Sequence, residues 1–192
     1  MPAVLPAAID LLPNGPCVAT ALIPLYMHPG DKWKEVRNAH GSNRALSIVA
    51  IINDALLYHK WYGVDGIFFD EMANAAGHEH YYSRASAYAK SLSMRLTIGN
   101  PGTDTIPSYV GTVDSMVIYE SRGYPPLSRF GGWHTSYPKS TWGSISYATQ
   151  KLSIPKVCGL ASVAGYIYVT DDTLPNPYDT LPPYFKSYIN VL

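Results

Sequence analysis

At 192 residues, with 47% hydrophobic and 15% charged residues, the chain has the length and composition of a single globular domain, not of a disordered segment. Its 14 basic and 14 acidic residues cancel and form no long like-charge run, which argues against nucleic acid as a partner. Pro, Asp or Gly interrupts every long apolar stretch, so no membrane-spanning helix is predicted.

The stretch from Met1 to Ala21 is apolar but holds four prolines and neither Lys nor Arg, a poor match to a signal peptide. Strand signals follow at Ala21–Tyr26, Leu46–Asn53, Gly66–Asp70, Arg95–Asn100, Ser115–Glu120, Ser144–Tyr147 and Gly165–Thr170. Helical signals fall between them. Asp31–Ala39 and Ala55–Tyr62 are short, and Gly63 offers the latter a C-cap. Tyr81–Met94 is the clearest helix, with Tyr81, Ala85, Tyr88, Ala89 and Leu92 recurring on one face. A further helix is predicted to open near Ser140. Thr173–Pro183 reads as a Pro-rich loop and Tyr184–Val191 as a closing helix.

Strands alternating with helices predict an α/β fold with a parallel sheet and right-handed crossovers. Seven strand signals in 192 residues point to a single (β/α)8 TIM-barrel type domain spanning 1–192. Such barrels usually take about 250 residues, so this chain is short for one.

The informative run is Val64–Glu71, an apolar strand that ends on two adjacent carboxylates, Asp70 and Glu71. Ser115–Glu120 ends the same way, on Glu120. Parallel α/β folds put their chemistry at the carboxyl ends of strands, and glycoside hydrolysis uses a pair of carboxylates across one bond. A helix N-cap or a structural ion pair is the plainer reading of each acid. Successive strand residues point to opposite faces, so Asp70 and Glu71 cannot both face one pocket alike. Asp70 is the expected nucleophile or charge-stabilising carboxylate, Glu120 the general acid/base, and Glu71 an orienting group for the sugar.

Other positions at the expected barrel mouth are candidate substrate contacts: Tyr26, His28, Asn53, Asn100, Tyr147 and Asp171. Trp133, in the Gly-rich run Gly131–His134, could stack on a sugar ring or anchor its own loop. The 16 Tyr and 4 Trp against 4 Phe suit both sugar binding and the seating of helices on a sheet. His78, Glu79 and His80 read as solvated surface, so neither a metal nor an organic cofactor is expected. Cys17 and Cys158 are compatible with a disulfide or with two buried thiols.

Several blocks together resemble the spherulin-4 (spherulation-specific) family: Gly63–Glu71, Tyr81-Tyr82, Gly99-Asn100-Pro101-Gly102, Val117–Glu120, Gly165–Asp171 and Tyr178–Tyr184. The resemblance is collinear over nearly the whole chain. It implies a (β/α)8 barrel and glycoside hydrolase family 135-like activity on α-1,4-linked galactosamine and N-acetylgalactosamine polymers. It matches the family's acidic residues to Asp70, Glu71 and Glu120, and implies a place at the cell surface or outside the cell; a monomer is expected. One departure stands out. After Asn53 the chain runs almost at once into Asp54-Ala55-Leu56-Leu57-Tyr58, which resembles the helix following the family's third strand. The barrel is therefore expected to be shortened by one βα unit between Asn53 and Asp54, which leaves room for a non-catalytic carbohydrate-binding or spore-coat/matrix protein on the same scaffold.

Overall fold

The computed structural model describes residues 17–22, 38, 46–47, 49–51 and 64–192. Its strands are β1 (Thr20–Leu22), β2 (Leu46–Ser47), β3 (Val49–Ile51), β4 (Gly66–Phe69), β5 (Leu96–Gly99), β6 (Ser115–Arg122), β7 (Trp142–Tyr147) and β8 (Tyr166–Val169). Helices α1 (Glu79–Ser91), α2 (Ile154–Ala161) and α3 (Phe185–Val191) lie among them. Every pairing is parallel, in the order β2-β1-β8-β7-β6-β5-β4-β3. β2 and β3 are neighbouring pieces of one stretch, 46–51. The ladder thus starts and ends on the same stretch, whose first part pairs with β1 and whose second part pairs with β4.

Partners side by side in a parallel sheet point to the same face, so the register sorts the side chains. On one face, Thr97 reaches α1, its hydroxyl 2.9 Å from that of Ser86, and the Phe69 ring meets Tyr82 of α1 edge-on at 6.4 Å. On the other face lie Phe68, Ile98, Ile145 and Tyr168, none more than 2% exposed. Apolar area removed from water stabilises by about 25 cal/mol per Å², and both faces of this sheet contribute. That is the reason β4 reads Gly-Ile-Phe-Phe without alternation.

β6 breaks the alternation. Val117 pairs with Gly143, but Tyr119 already pairs with Ser144, so the register shifts by one residue at Ile118. Without this bulge Glu120 would point to the helix face. With it, Glu120 pairs with Ile145 and shares the face of Ile98 and Phe68.

The periodicity of α1 identified the helix but not its buried side. Ser86 and Ala89 are buried and Tyr82 is half-buried against the core, whereas Tyr81 and Tyr88 are 63% exposed. Small side chains let the helix approach the sheet, and the Ser86–Thr97 contact fixes its rotation. The expected helix near Ser140 is a single 3-10 turn, Lys139–Thr141, leading into β7. The helix falls later, at α2, with Ser153 at its N-cap and a proline in its first turn. A disulfide joins Cys17 to Cys158 of α2 across 141 residues, and Cys17 N–H donates to the Val191 carbonyl of α3 at 2.8 Å. In the chain-entropy account a closed loop of that length stabilises by about 4–5 kcal/mol. The expected helices Asp31–Ala39 (save Asn38, which is helical) and Ala55–Tyr62, and the junction Asn53/Asp54, lie outside the described residues.

Candidate active site

The carboxyl ends of β4, β5 and β6 converge on one cluster. The β4–β5 ladder runs past the strands: Asn100 N–H donates to the Phe69 carbonyl at 2.8 Å, and Met72 N–H to the Asn100 carbonyl at 2.9 Å. Between these bonds the chain must turn within Asp70 and Glu71. Glu71 does so at φ 51°, a left-handed conformation that costs a non-glycine residue about 1–3 kcal/mol. Asp70 thereby keeps the face of Phe68. Glu71 is exposed and, among the described residues, its carboxylate has no hydrogen-bond partner.

Asn100, 4% exposed, joins the acids. Its Nδ2 donates one hydrogen to Asp70 Oδ1 at 3.0 Å and the other to Glu120 Oε2 at 2.6 Å. Its Oδ1 accepts the Gly102 N–H at 3.0 Å, which fixes the orientation of the amide. Gly102 sits at φ +67°, a conformation that suits glycine, and a Cβ there would lie 4.0 Å from Glu120 Oε2. Because both carboxylates bind one nitrogen, their oxygens are no more than about 5.6 Å apart, the two bonds laid end to end. The other oxygen of Glu120, Oε1, accepts the hydroxyl of Tyr178.

Glu120 stands in the wall between two cavities. One, of about 460 Å³, is lined by Tyr147 and by Leu174, Pro175, Asn176, Pro177 and Tyr178. The other, of about 320 Å³, is lined by Gly102, Thr103, Tyr119, Ser121, Pro126 and Arg129. One side of the carboxylate is thus aromatic and apolar, and the other carries hydroxyls and a guanidinium.

The remaining sequence candidates divide. Tyr147 faces the first cavity beside Glu120. Asp171 lines neither cavity; its carbonyl accepts Gln150 Nε2 at 3.1 Å, and its Oδ1 is buried without a partner among the described residues. Trp133 is used in packing: its ring stacks on His134 at 4.1 Å and meets Trp142 edge-on at 5.4 Å. His134 is 4% exposed, its ring nitrogens facing the Gly131 carbonyl at 2.8 Å and Asp104 Oδ1 at 2.9 Å. Glu79, between its flanking histidines, takes its hydrogen bonds elsewhere. It accepts the Gly77 N–H and the Ser108 hydroxyl, and the latter holds its carboxyl below the usual range. Tyr26, His28 and Asn53 lie outside the described residues. Sequence reasoning missed Tyr178 and Arg129 as neighbours of Glu120. Tyr178 stood in a quoted family block but read as part of a loop.

Known proteins are similar to this chain in sequence and in fold. The sequence model of the spherulation-specific family 4 matches residues 54–192. This chain belongs to that family. Spherulin-4 of Physarum polycephalum is 25% identical over 225 aligned positions, covering 86% of this chain and 67% of the relative. Those positions outnumber the residues of this chain, so the relative carries insertions within the match. In three dimensions the chain resembles Aspergillus clavatus Sph3, whose crystal structure is a complex with GalNAc. The TM-score is 0.69 at 15% identity, over 92% of this chain and 98% of that one. At this identity the likeness is one of fold, a parallel α/β sheet. The family match opens at Asp54, the junction where the sequence reads as cut short.

Proposed function

We propose that the chain is a glycoside hydrolase acting on α-1,4-linked galactosamine and N-acetylgalactosamine polysaccharide. The observation that carries this reading is the pairing of Asp70 and Glu120 on one Asn100 amide, at a strand-end site open on two cavities. Membership of the spherulation-specific family 4 supports it, as does a fold shared with a protein crystallised with GalNAc. The Asp70 and Glu120 oxygens that share the Asn100 amide, within about 5.6 Å of each other, suit the close carboxylate pair of a retaining enzyme. Asp70 attacks the anomeric carbon while Glu120 gives a proton to the departing glycosidic oxygen. Glu120 then takes a proton from the water that displaces Asp70. Glu71 orients the sugar from the turn beside Asp70.

The scaffold in this reading is a barrel of seven strand stretches, one βα unit short of eight. The ladder that returns to 46–51 supports closure, as does a sheet buried on both faces. A closed barrel would lack the exposed strand edges that a lost unit otherwise leaves. The Cys17–Cys158 disulfide favours an oxidising, extracellular setting, with the chain acting as a monomer.

A non-catalytic carbohydrate-binding or matrix protein on the same scaffold has one observation in its favour: Asn100 and Tyr178 already occupy both oxygens of Glu120. Product release from the polymer separates the two readings. The parent chain is expected to release oligosaccharides, and Glu120→Gln to lose about 100-fold or more of that rate while staying folded. Binding of the polymer by both proteins, with product from neither, favours the binding protein.

A further inference from the structure

We infer that Tyr178 is a positioning residue for Glu120, its hydroxyl holding the carboxylate in place across the two steps of the reaction. The inference rests on the glycosidase reading above. Tyr178 is 9% exposed and comes from the loop after β8. That loop is clasped across its base, where Asp172 Oδ2 accepts the Thr180 hydroxyl at 2.6 Å and the Thr180 N–H at 3.2 Å. Within it, Tyr178 N–H donates to Asn176 Oδ1 at 3.2 Å. The Tyr178 ring lies 6.4 Å from that of Tyr168, which is 1% exposed in the sheet. A clasped loop and a buried ring therefore aim one hydroxyl at Glu120 Oε1.

The choice of a phenol suits a carboxylate that changes protonation state. A tyrosine hydroxyl donates to an ionised carboxylate and can rotate to accept from a protonated one. Asn100 Nδ2 can only donate, so it holds Oε2 and leaves Oε1 as the oxygen where a proton comes and goes. Among the described residues, the other groups facing Glu120 are Asp70 across the Asn100 amide, Tyr147 in the first cavity, and Tyr119 and Arg129 in the second. Of these, Tyr119 turns its hydroxyl to the Arg122 and Gly123 carbonyls, 3.2 Å from each. Tyr178 is the neighbour whose hydroxyl bonds to Oε1.

The test is a carboxyl titration of carbon-13-labelled glutamate by NMR, comparing the parent with Tyr178→Phe. The chain has four glutamates, and Glu120→Gln identifies the signal. Loss of a donor to the charged form should raise the Glu120 midpoint by about one pH unit, leaving the other three unmoved. With polymer as substrate, kcat should fall about 10- to 100-fold at little change in KM, and the limb of the pH profile reporting Glu120 should move to higher pH. Leu174→Ala, which alters the same cavity and removes no hydrogen bond of Glu120, should change KM and leave the midpoint alone. An unchanged Glu120 midpoint in Tyr178→Phe overturns the inference. A parent that turns over no polymer counts against the glycosidase reading instead, and the titration still decides Tyr178.

Discussion

Asp70–Asn100–Glu120 and Asp104–His134 are built alike: in each, a carboxylate meets a planar nitrogen-bearing side chain in a structured loop or at a strand end. Asn100 and His134 are equally buried, at 4% exposure. Their surroundings differ. Trp133 lies against one face of His134 and Trp142 against its edge, so the ring, its carboxylate and the Gly131 carbonyl form part of the core. The Asn100 amide is just as fully bonded, but Glu120 beyond it borders two cavities. The lesson is that a satisfied polar cluster becomes a site through what is left uncovered next to it. Trp133, an apparent stacking platform in sequence, is what covers the other cluster.

Asn100→Ala should break this comparison most severely. It removes both tethers and leaves two carboxylates facing each other, so kcat/KM on polymer should drop about 100-fold or more. It should also cost about 1–3 kcal/mol in urea unfolding, from the lost hydrogen bonds of a buried amide, two of them to carboxylates. If activity survives, Asn100 does not organise the acids.

Trp133→Ala should act on stability alone. Losing its contacts with His134, Tyr137 and Trp142 should cost about 3 kcal/mol, read from the denaturation midpoint, with turnover per folded molecule within about twofold of the parent. Weakened polymer binding at unchanged stability would make Trp133 a sugar platform after all.

Glu71→Gln sharpens the contrast at the smallest scale. Its exposed carboxylate supports nothing in the fold, so stability should move by less than about 0.5 kcal/mol. If Glu71 orients the sugar, KM should rise about three- to tenfold with kcat nearly kept. A loss of kcat as large as that of Glu120→Gln would make it a third catalytic carboxylate.

Much of this arrangement is written in local sequence. Val64–Phe69 is apolar on every residue but Asp65 and Gly66, the mark of a strand covered on both faces, and its end on Asp70 locates the first acid. Strand alternation alone says that Asp70 and Glu71 part company, as they do. The position of α2 was also legible, in Ser153 followed by Pro155, but Gly159 and its eight-residue length hid it beside stronger signals. The buried side of α1 was not legible. Tyr81 and Tyr88 weigh more in any apolar count than Ser86, yet Ser86 faces the sheet because Thr97 waits there.

The sequence by itself determined which strands end in acids, because composition and a two-residue period are properties of adjacent residues. Only the tertiary structure decided that Glu120 joins Asp70. Simple alternation from Val117 would turn Glu120 toward the helices, and the one-residue bulge at Ile118 reverses it. A bulge is set by how β6 must fit β7, a relation between segments some 25 residues apart. The same holds for Tyr178, which reaches Glu120 across 58 residues of chain. A loop tyrosine has no local mark of the carboxylate it will meet, because packing, not spacing, brings them together.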